Sequence, residues 1–171
     1  MRNQYGDAGN SFARAATYFK QSGAFIEAFD QAVKFQSLKV LDFELLAGLD
    51  GTDDHALIPS YQGKAACQYL RMAESLDSFS SGRKPAPIIE SINLYRGEAA
   101  ERYKRASSRY EEVAQLYFNS KVISDIAKAK ICLKYAEKFS GQAQRQYSKL
   151  GNSELEKTCL EDKIRIQQKI N

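Results

Sequence analysis

Residues 87–118 read PIIESINLYRGEAAERYKRASSRYEEVAQLYF, and this stretch decides the fold class. Its apolar residues recur at steps of three and four positions, which is the period of an α-helix and not of a strand. They are Ile88, Ile92, Tyr95, Ala99, Tyr103, Ala106, Tyr110, Val113 and Tyr117. The opposite face carries charges of both signs, as a solvated surface does. The stretch predicts one long amphipathic helix that packs against other helices.

The rest of the chain shows the same helical period, interrupted by loops. The chain has only 3 prolines, which favours uninterrupted helices. We predict a helical hairpin over 5–36, linker loops over 48–58 and 78–87, and helices over 121–148 and 152–170. A further helix is expected from about Pro59 to Phe79. In the helix over 121–148, the stripe expected to face inward begins with Ile123 and Ile126. The pattern predicts a single all-α domain over 1–171, with six or seven antiparallel helices.

The charge of the chain is unevenly distributed. The net charge is +4 overall, but it is −3 over residues 1–60 and +5 over residues 128–171. A basic end can face acidic membrane lipids, nucleic acid or an acidic protein, although a solvated helix face is the simplest interpretation. The chain has no arginine-rich run and no alternation of aromatic and basic residues, so nucleic acid is not expected as a partner. A peripheral contact with an acidic membrane surface stays open.

The N-terminus and the cysteines indicate a cytoplasmic location. The first residues, MRNQYGDAGN, lack the apolar core of a signal peptide. No window reaches the roughly 18 apolar residues that a membrane span needs. The widely spaced Cys67, Cys132 and Cys159 all fall within helical patterns. We expect three buried thiols in a reducing compartment and no disulfide framework.

No set of residues with catalytic or metal-binding spacing is evident. His55 is the single histidine and follows Asp53 and Asp54 in a predicted loop, where an exposed histidine is expected. A zinc site needs three or four convergent ligands, so no metal, no cofactor and no catalytic residue is predicted. The chain is therefore expected not to be an enzyme. The rival interpretation, a small helical enzyme or ligand-binding bundle, predicts a buried polar cluster around Tyr69, Arg71, Tyr103 or Lys130.

The first predicted hairpin resembles known helical repeats. Its residues GDAGNSFARAATYFKQSGAFIEAFDQAVK place Phe12, the pair Ala15-Ala16, Phe19 and Gly23 at the positions of a tetratricopeptide repeat. Over residues 7–35 the segment is also similar to the hairpins of the SNAP family, the soluble attachment proteins of SNARE disassembly. These resemblances imply a right-handed stack of helical hairpins. They also imply a protein-binding scaffold or adaptor, consistent with vesicle trafficking or a larger complex.

A second resemblance involves the long helix. Its stripe Tyr103, Ala106, Tyr110, Ala114 and Tyr117, followed by KAKICLKYAEKF, is similar to the MIT domain. That three-helix domain binds helical tails of membrane-remodelling proteins. Both resemblances imply that the chain holds a helical or extended segment of another protein.

The tyrosine stripe and the arginines beside it are the predicted partner-binding residues. Tyrosines offer large, rigid contact areas at low entropic cost, although their ordinary role here would be core packing with the hydroxyls at the rim. The predicted residues are Tyr95, Arg102, Tyr103, Arg105, Arg109, Tyr110 and Tyr117.

Overall fold

The computed structural model describes residues 57–79, 86–120 and 122–171, and, as isolated positions, Ser11 and Arg14. Four α-helices make up this part: α1 (Leu57–Phe79), α2 (Ala86–Asn119), α3 (Ile123–Lys149) and α4 (Ser153–Ile170). Between positions 57 and 171, the described residues contain no strand, which confirms the all-α prediction. The predicted hairpin over 5–36 lies outside the described residues, and the stack of six or seven helices stays a prediction.

The predicted long helix is confirmed. It runs through 34 residues without a break, and Gly97 does not interrupt it. The predicted loops were slightly too long, because α1 already begins at Leu57 and ends at Phe79, and α2 begins at Ala86. Pro59 and Pro87 both fall in a first helical turn, where a missing N–H costs nothing because those N–H groups have no intrahelical acceptor.

A tight turn joins α3 to α4 and makes them antiparallel. Gly151 adopts a left-handed conformation with φ of 70°, and the N–H of Asn152 donates to the carbonyl of Tyr147 at 3.0 Å. The side chain of Asn152 then caps α4 by accepting a hydrogen bond from the N–H of Leu155 at 3.2 Å. Glycine tolerates positive φ without steric cost, so this turn is encoded locally.

Helix α2 is the centre of the packing. One core cluster joins Ala73 and Leu76 of α1 to Ile92 of α2. The other two clusters connect α2 with α3 and α4. Their fully buried residues include Ala99, Ala100, Ala129, Leu133, Ala136, Ala143, Cys159 and Ile166. The many alanines bring the helix backbones close together, and the aromatic rings fill the space beside them.

Two expectations about burial were wrong. The side chains of Ile123 and Ile126 are 86% and 42% exposed, although the apolar stripe predicted that they face inward. They lie at the start of α3, whereas the buried cluster shared with α2 and α4 begins at Ala129. Cys132 and Cys159 are buried as expected, but Cys67 is only half-buried. Among the described helices, none is long and apolar enough to cross a membrane.

Candidate binding cleft

A cleft opens between α1, α2 and α3. Its volume is about 450 Å³, and it is an open cleft rather than an enclosed cavity. It exists because Gly63 of α1 brings that helix against the ring of Phe139 on α3, so closely that a Cβ at position 63 would overlap the ring. The residues that line the cleft are Ser60, Gly63, Lys64, Cys67, Tyr103, Tyr110, Tyr135, Lys138, Phe139 and Gln142.

Four aromatic rings form a continuous ladder in the cleft. Tyr103 stacks on Phe139 with the ring centroids 5.7 Å apart and the planes 22° from parallel. Phe139 stacks in turn on Tyr110 at 5.7 Å, and Tyr110 stacks on Tyr135 at 5.3 Å. Tyr103 and Tyr110 are only 4% and 5% exposed, whereas Tyr135 is 45% exposed. The buried rings make a preformed floor, and Tyr135 stands at the rim.

Polar groups complete the cleft. Burial, and then the neighbouring thiol of Cys67, raise the pKa of Tyr103, so its hydroxyl is neutral at physiological pH. Lys64 and Lys138 are both exposed, and each lines the cleft from a different helix. The ammonium group of Lys64 also lies 4.9 Å from the centre of the Tyr61 ring. The cleft therefore combines an apolar aromatic floor with two cationic rim residues.

The structure divides the seven predicted partner-binding residues among several places. Tyr103 and Tyr110 line the cleft, but as buried residues of its floor. Arg105 and Arg109 lie instead in a polar trough of about 370 Å³ on α2, where Arg109 donates to Glu112 at 2.6 Å. The predicted residues do not form one continuous surface.

The remaining three predicted residues contact other aromatic or charged groups. Arg102 forms an ion pair with Glu98, and its guanidinium lies 4.3 Å from the centre of the Tyr69 ring. The ring of Tyr95 lies 6.4 Å from that of Tyr69, and burial raises the pKa of Tyr95. The ring of Tyr117 lies under the ammonium group of Lys128, 5.4 Å away. These contacts stabilise the packing of α2 against α1 and α3.

Sequence reasoning missed several of the cleft residues. Tyr135, Lys138 and Phe139 were not among the predicted partner-binding residues. Cys67 was expected to be buried. The spacing of Tyr135, Lys138 and Phe139 places them on one side of α3, and this was the available signal. Nothing in the sequence of α3 indicates that α1 lies opposite.

The buried polar cluster predicted for the rival bundle is not formed. Lys130 and Arg71 are exposed, so the two cations of that set are in solvent. Tyr69 contacts Arg102 and Tyr95, whereas Tyr103 contacts Phe139. Within the described helices no group of three or more His, Cys, Asp or Glu side chains is placed to hold a metal ion. His55 lies outside the described residues.

The fold and the cleft together define a class of molecule, an antiparallel helical bundle with an open aromatic cleft. A comparison of the chain with protein-family models, with curated proteins and with solved structures found no match. The resemblances to tetratricopeptide, SNAP and MIT proteins therefore stay predictions.

Proposed function

We propose that this chain is a non-catalytic protein-binding scaffold or adaptor, and that the cleft between α1, α2 and α3 receives a segment of the partner. The observation that carries the proposal is the preformed aromatic floor, reached through an open cleft. A rigid floor of stacked rings loses little entropy on binding, which favours its use as a contact surface.

The shape of the cleft favours a protein segment over a small ligand. Small-molecule sites usually enclose most of the ligand surface, and they do so with deep walls. This cleft is open and has room for a few side chains, which suits one or two apolar anchors of a helix or an extended peptide. The polar residues around it are spread over three helices and supply orientation rather than a convergent reactive set.

A specific observation favours the MIT-like form of this function. Helices α2, α3 and α4 are antiparallel neighbours, and residues from all three share the same core clusters. This order of helices supports the three-helix form that the MIT resemblance implies, in which the partner segment would bind as a helix in a groove between helices. Far-UV circular dichroism of the bound peptide distinguishes this form from the binding of an extended segment.

The sequence resemblance over 7–35 adds a cellular context to the proposal. The resemblance supports a role in protein transport or in a larger assembly, and the N-terminus without a signal-peptide pattern and the widely spaced cysteines support a cytoplasmic location. Fractionation of cells that express the tagged chain tests this location. Recovery of the chain from a secreted or organelle-lumen fraction would contradict it.

A peptide-display selection tests the proposed cleft directly. Random peptides long enough for about four helical turns are selected on the immobilised chain, and the enriched peptides are measured against two variants. Ser60→Phe places a bulky ring in the cleft, and Ser124→Phe adds the same ring at an exposed position of α3. We expect at least about tenfold weaker binding for S60F and no change for S124F, because only the first ring occupies the cleft.

Cys67 supplies an independent readout for the same experiment. It lines the cleft and is half-buried, whereas Cys132 and Cys159, the other two of the 3 cysteines, are 4% and 1% exposed. A small fluorescent thiol reagent should therefore label Cys67 first. A bound peptide should slow this labelling. Selected peptides that bind S60F as well as the wild type, and that leave Cys67 labelling unchanged, would rule out the cleft as the binding site.

A further inference from the structure

The solvent face of α3 carries a row of unpaired cations, which we call the α3 ridge. It consists of Lys130, Lys134, Lys138, Arg145 and Lys149, all exposed. The first three follow one another at four-residue steps, so they lie above one another on the helix. Its first and last residues are 19 positions apart, or about 28 Å along the helix axis. Helix α3 as a whole has six basic and two acidic residues.

These cations differ from most of the others in the described helices. Lys128 pairs with Asp125 at 2.9 Å, Lys169 pairs with Glu111 at 3.0 Å, and Lys157 lies 3.8 Å from Glu161. By contrast, no ridge residue forms an ion pair with another of the described residues. The ridge therefore carries net positive charge, and its cations repel one another without an ion pair to offset the repulsion.

A trough beside the ridge concentrates the positive charge further. It has a volume of about 360 Å³ and lies between α3 and α4. Lys134, Lys138 and Arg145 line it from α3, and Lys163 lines it from α4; among the described residues of its walls, Glu137 is the one acidic residue. Its base includes Gly141, where an added Cβ would approach only carbon atoms of Lys163, at 3.9 Å. Four cations therefore face a narrow space together with one carboxylate.

The ridge is continuous with the aromatic cleft. Lys138 and Gln142 line both the cleft and the trough, so a segment that enters the cleft leaves it directly over the ridge. Ile131 and Tyr135, which are 55% and 45% exposed, lie on the cleft side of the same helix. Side by side, the two features present an apolar pocket followed by a line of positive charge.

We propose that the α3 ridge and the cleft together bind an acidic helical segment of a partner protein, with one large apolar side chain in the cleft and its carboxylates along the ridge. This inference rests on the proposed function and specifies the chemistry of the partner. Charge complementarity carries it, because a line of five unpaired cations gains most from a line of carboxylates. A helix of about 19 residues matches the length of the ridge.

Two other acidic partners fit this surface less well. Nucleic-acid bases need free aromatic faces for stacking, but the faces of Tyr103, Tyr110 and Phe139 are stacked on one another. A flat bilayer can touch the ridge but cannot reach floor rings that are 4% and 5% exposed. A narrow helical segment satisfies both the ridge and the cleft.

The test uses three fluorescent synthetic peptides and the full-length chain. The first peptide is a helix of about 18 residues with glutamates along one face and a single phenylalanine. The second has glutamine in place of every glutamate, and the third has alanine in place of the phenylalanine. Binding is measured by fluorescence anisotropy at low and at physiological salt. We expect the first peptide to bind at least about tenfold more tightly than either of the others, and to weaken as salt increases.

A pair of matched variants localises the binding. The ridge variant combines Lys134→Gln, Lys138→Gln and Arg145→Gln, and the control variant combines Lys128→Gln, Lys157→Gln and Lys169→Gln. Both lose three positive charges, but the control cations are ion-paired in the native structure. We expect the ridge variant to bind the acidic peptide at least about tenfold more weakly and the control variant to stay within about twofold. Circular dichroism verifies that both variants are folded.

The outcomes separate this inference from the proposed function. If the ridge and control variants bind the acidic peptide equally, or if the wild-type chain binds the glutamate and glutamine peptides equally, the proposal of an acidic partner is overturned. The cleft still stands in that case if peptides from the display selection lose affinity for S60F. Vesicles that contain phosphatidylserine and a single-stranded oligonucleotide serve as the other probes. Ridge-dependent binding of either one, without binding of the acidic peptide, also overturns the inference.

Discussion

The ring of Phe139 occupies the space in which the side chain of residue 63 would begin. Glycine is the only residue type at position 63 that lets α1 come this close to α3, because the Cβ of any other residue would overlap the Phe139 ring. Phe139 also stacks on both Tyr103 and Tyr110, so it has little freedom to move away. This contact fixes the distance between the two walls of the cleft.

Gly63→Ala should destabilise the protein by about 1–3 kcal/mol, because the added methyl group overpacks a well-filled contact. Gly97→Ala is the control, since nothing lies within 4 Å of a Cβ at that position of α2. Alanine has the higher helix propensity, so G97A should stabilise by about 0.5–1 kcal/mol. Urea unfolding followed by circular dichroism measures both changes. Equal stability of the two variants would show that the contact between Gly63 and Phe139 is not tight.

Ser107→Ala should remove a buried hydrogen bond between helices. The hydroxyl of Ser107 donates to the carbonyl of Ala136 at 2.8 Å, and Ser107 is 5% exposed. We expect a loss of about 1 kcal/mol in the free energy of unfolding. Ser108→Ala is the neighbouring control, because the hydroxyl of Ser108 is exposed and bonds only within its own helix. S108A should be neutral or slightly stabilising, and a similar loss in both variants would contradict the assigned contact.

Ile166→Ala should destabilise the protein more than a substitution at an exposed position of α4 does. Ile166 is fully buried in the cluster formed by α2, α3 and α4. The lost transfer energy and the cavity together predict a destabilisation of about 2–5 kcal/mol. Ile164→Ala makes the same chemical change at a side chain that is 49% exposed, and it should cost less than about 1 kcal/mol. Thermal unfolding of the two variants compares them directly, and a reversed order would place α4 in a different orientation.

The stability of the protein should fall in acid partly through Glu111. Burial alone would raise the pKa of Glu111, but hydrogen bonds from Arg165 and Lys169 outweigh it and hold that pKa below its ordinary value of 4.5. The carboxylate accepts from Arg165 at 2.6 and 2.9 Å and from Lys169 at 3.0 Å. Because the native state holds this proton less tightly than the unfolded state, the contribution is complete above the unfolded pKa. It is lost as the pH falls through the lower native value.

Glu111→Gln tests this contribution. We expect a loss of about 1 kcal/mol near neutral pH, since both cationic partners are 48% exposed, and a smaller difference from the wild type in acid. Glu112→Gln is the adjacent control. Its ion pair with Arg109 has both side chains 59% exposed, so the variant should stay within about 0.5 kcal/mol at either pH. Urea unfolding at neutral and at acidic pH measures both variants. A difference between E111Q and wild type that is independent of pH would exclude the ion pair as the cause.

The sequence by itself determined the helices. The apolar period predicted the bounds of α2 to within one residue at each end, because no regular secondary structure other than an α-helix has a period near 3.6 over 32 positions. It also predicted α3 and α4 to within two residues, and Gly151 and Asn152 are the local signals that end α3 and start α4, respectively. The bounds of these helices depend on residues that are neighbours along the chain, so periodicity and capping rules can predict them.

Only the tertiary structure decided which faces meet and where the cleft lies. Tyr103 and Tyr110 were predicted as contacts for a partner, and only the structure shows that they form the buried floor of a cleft between α1 and α3. Ile123 and Ile126 have the same periodicity as Ala129 but are exposed, since burial depends on whether another helix reaches them. The cleft itself requires Gly63 and Phe139, which are 76 positions apart in the chain. A sequence pattern records the face of a helix, whereas the partner of that face is set by long-range packing.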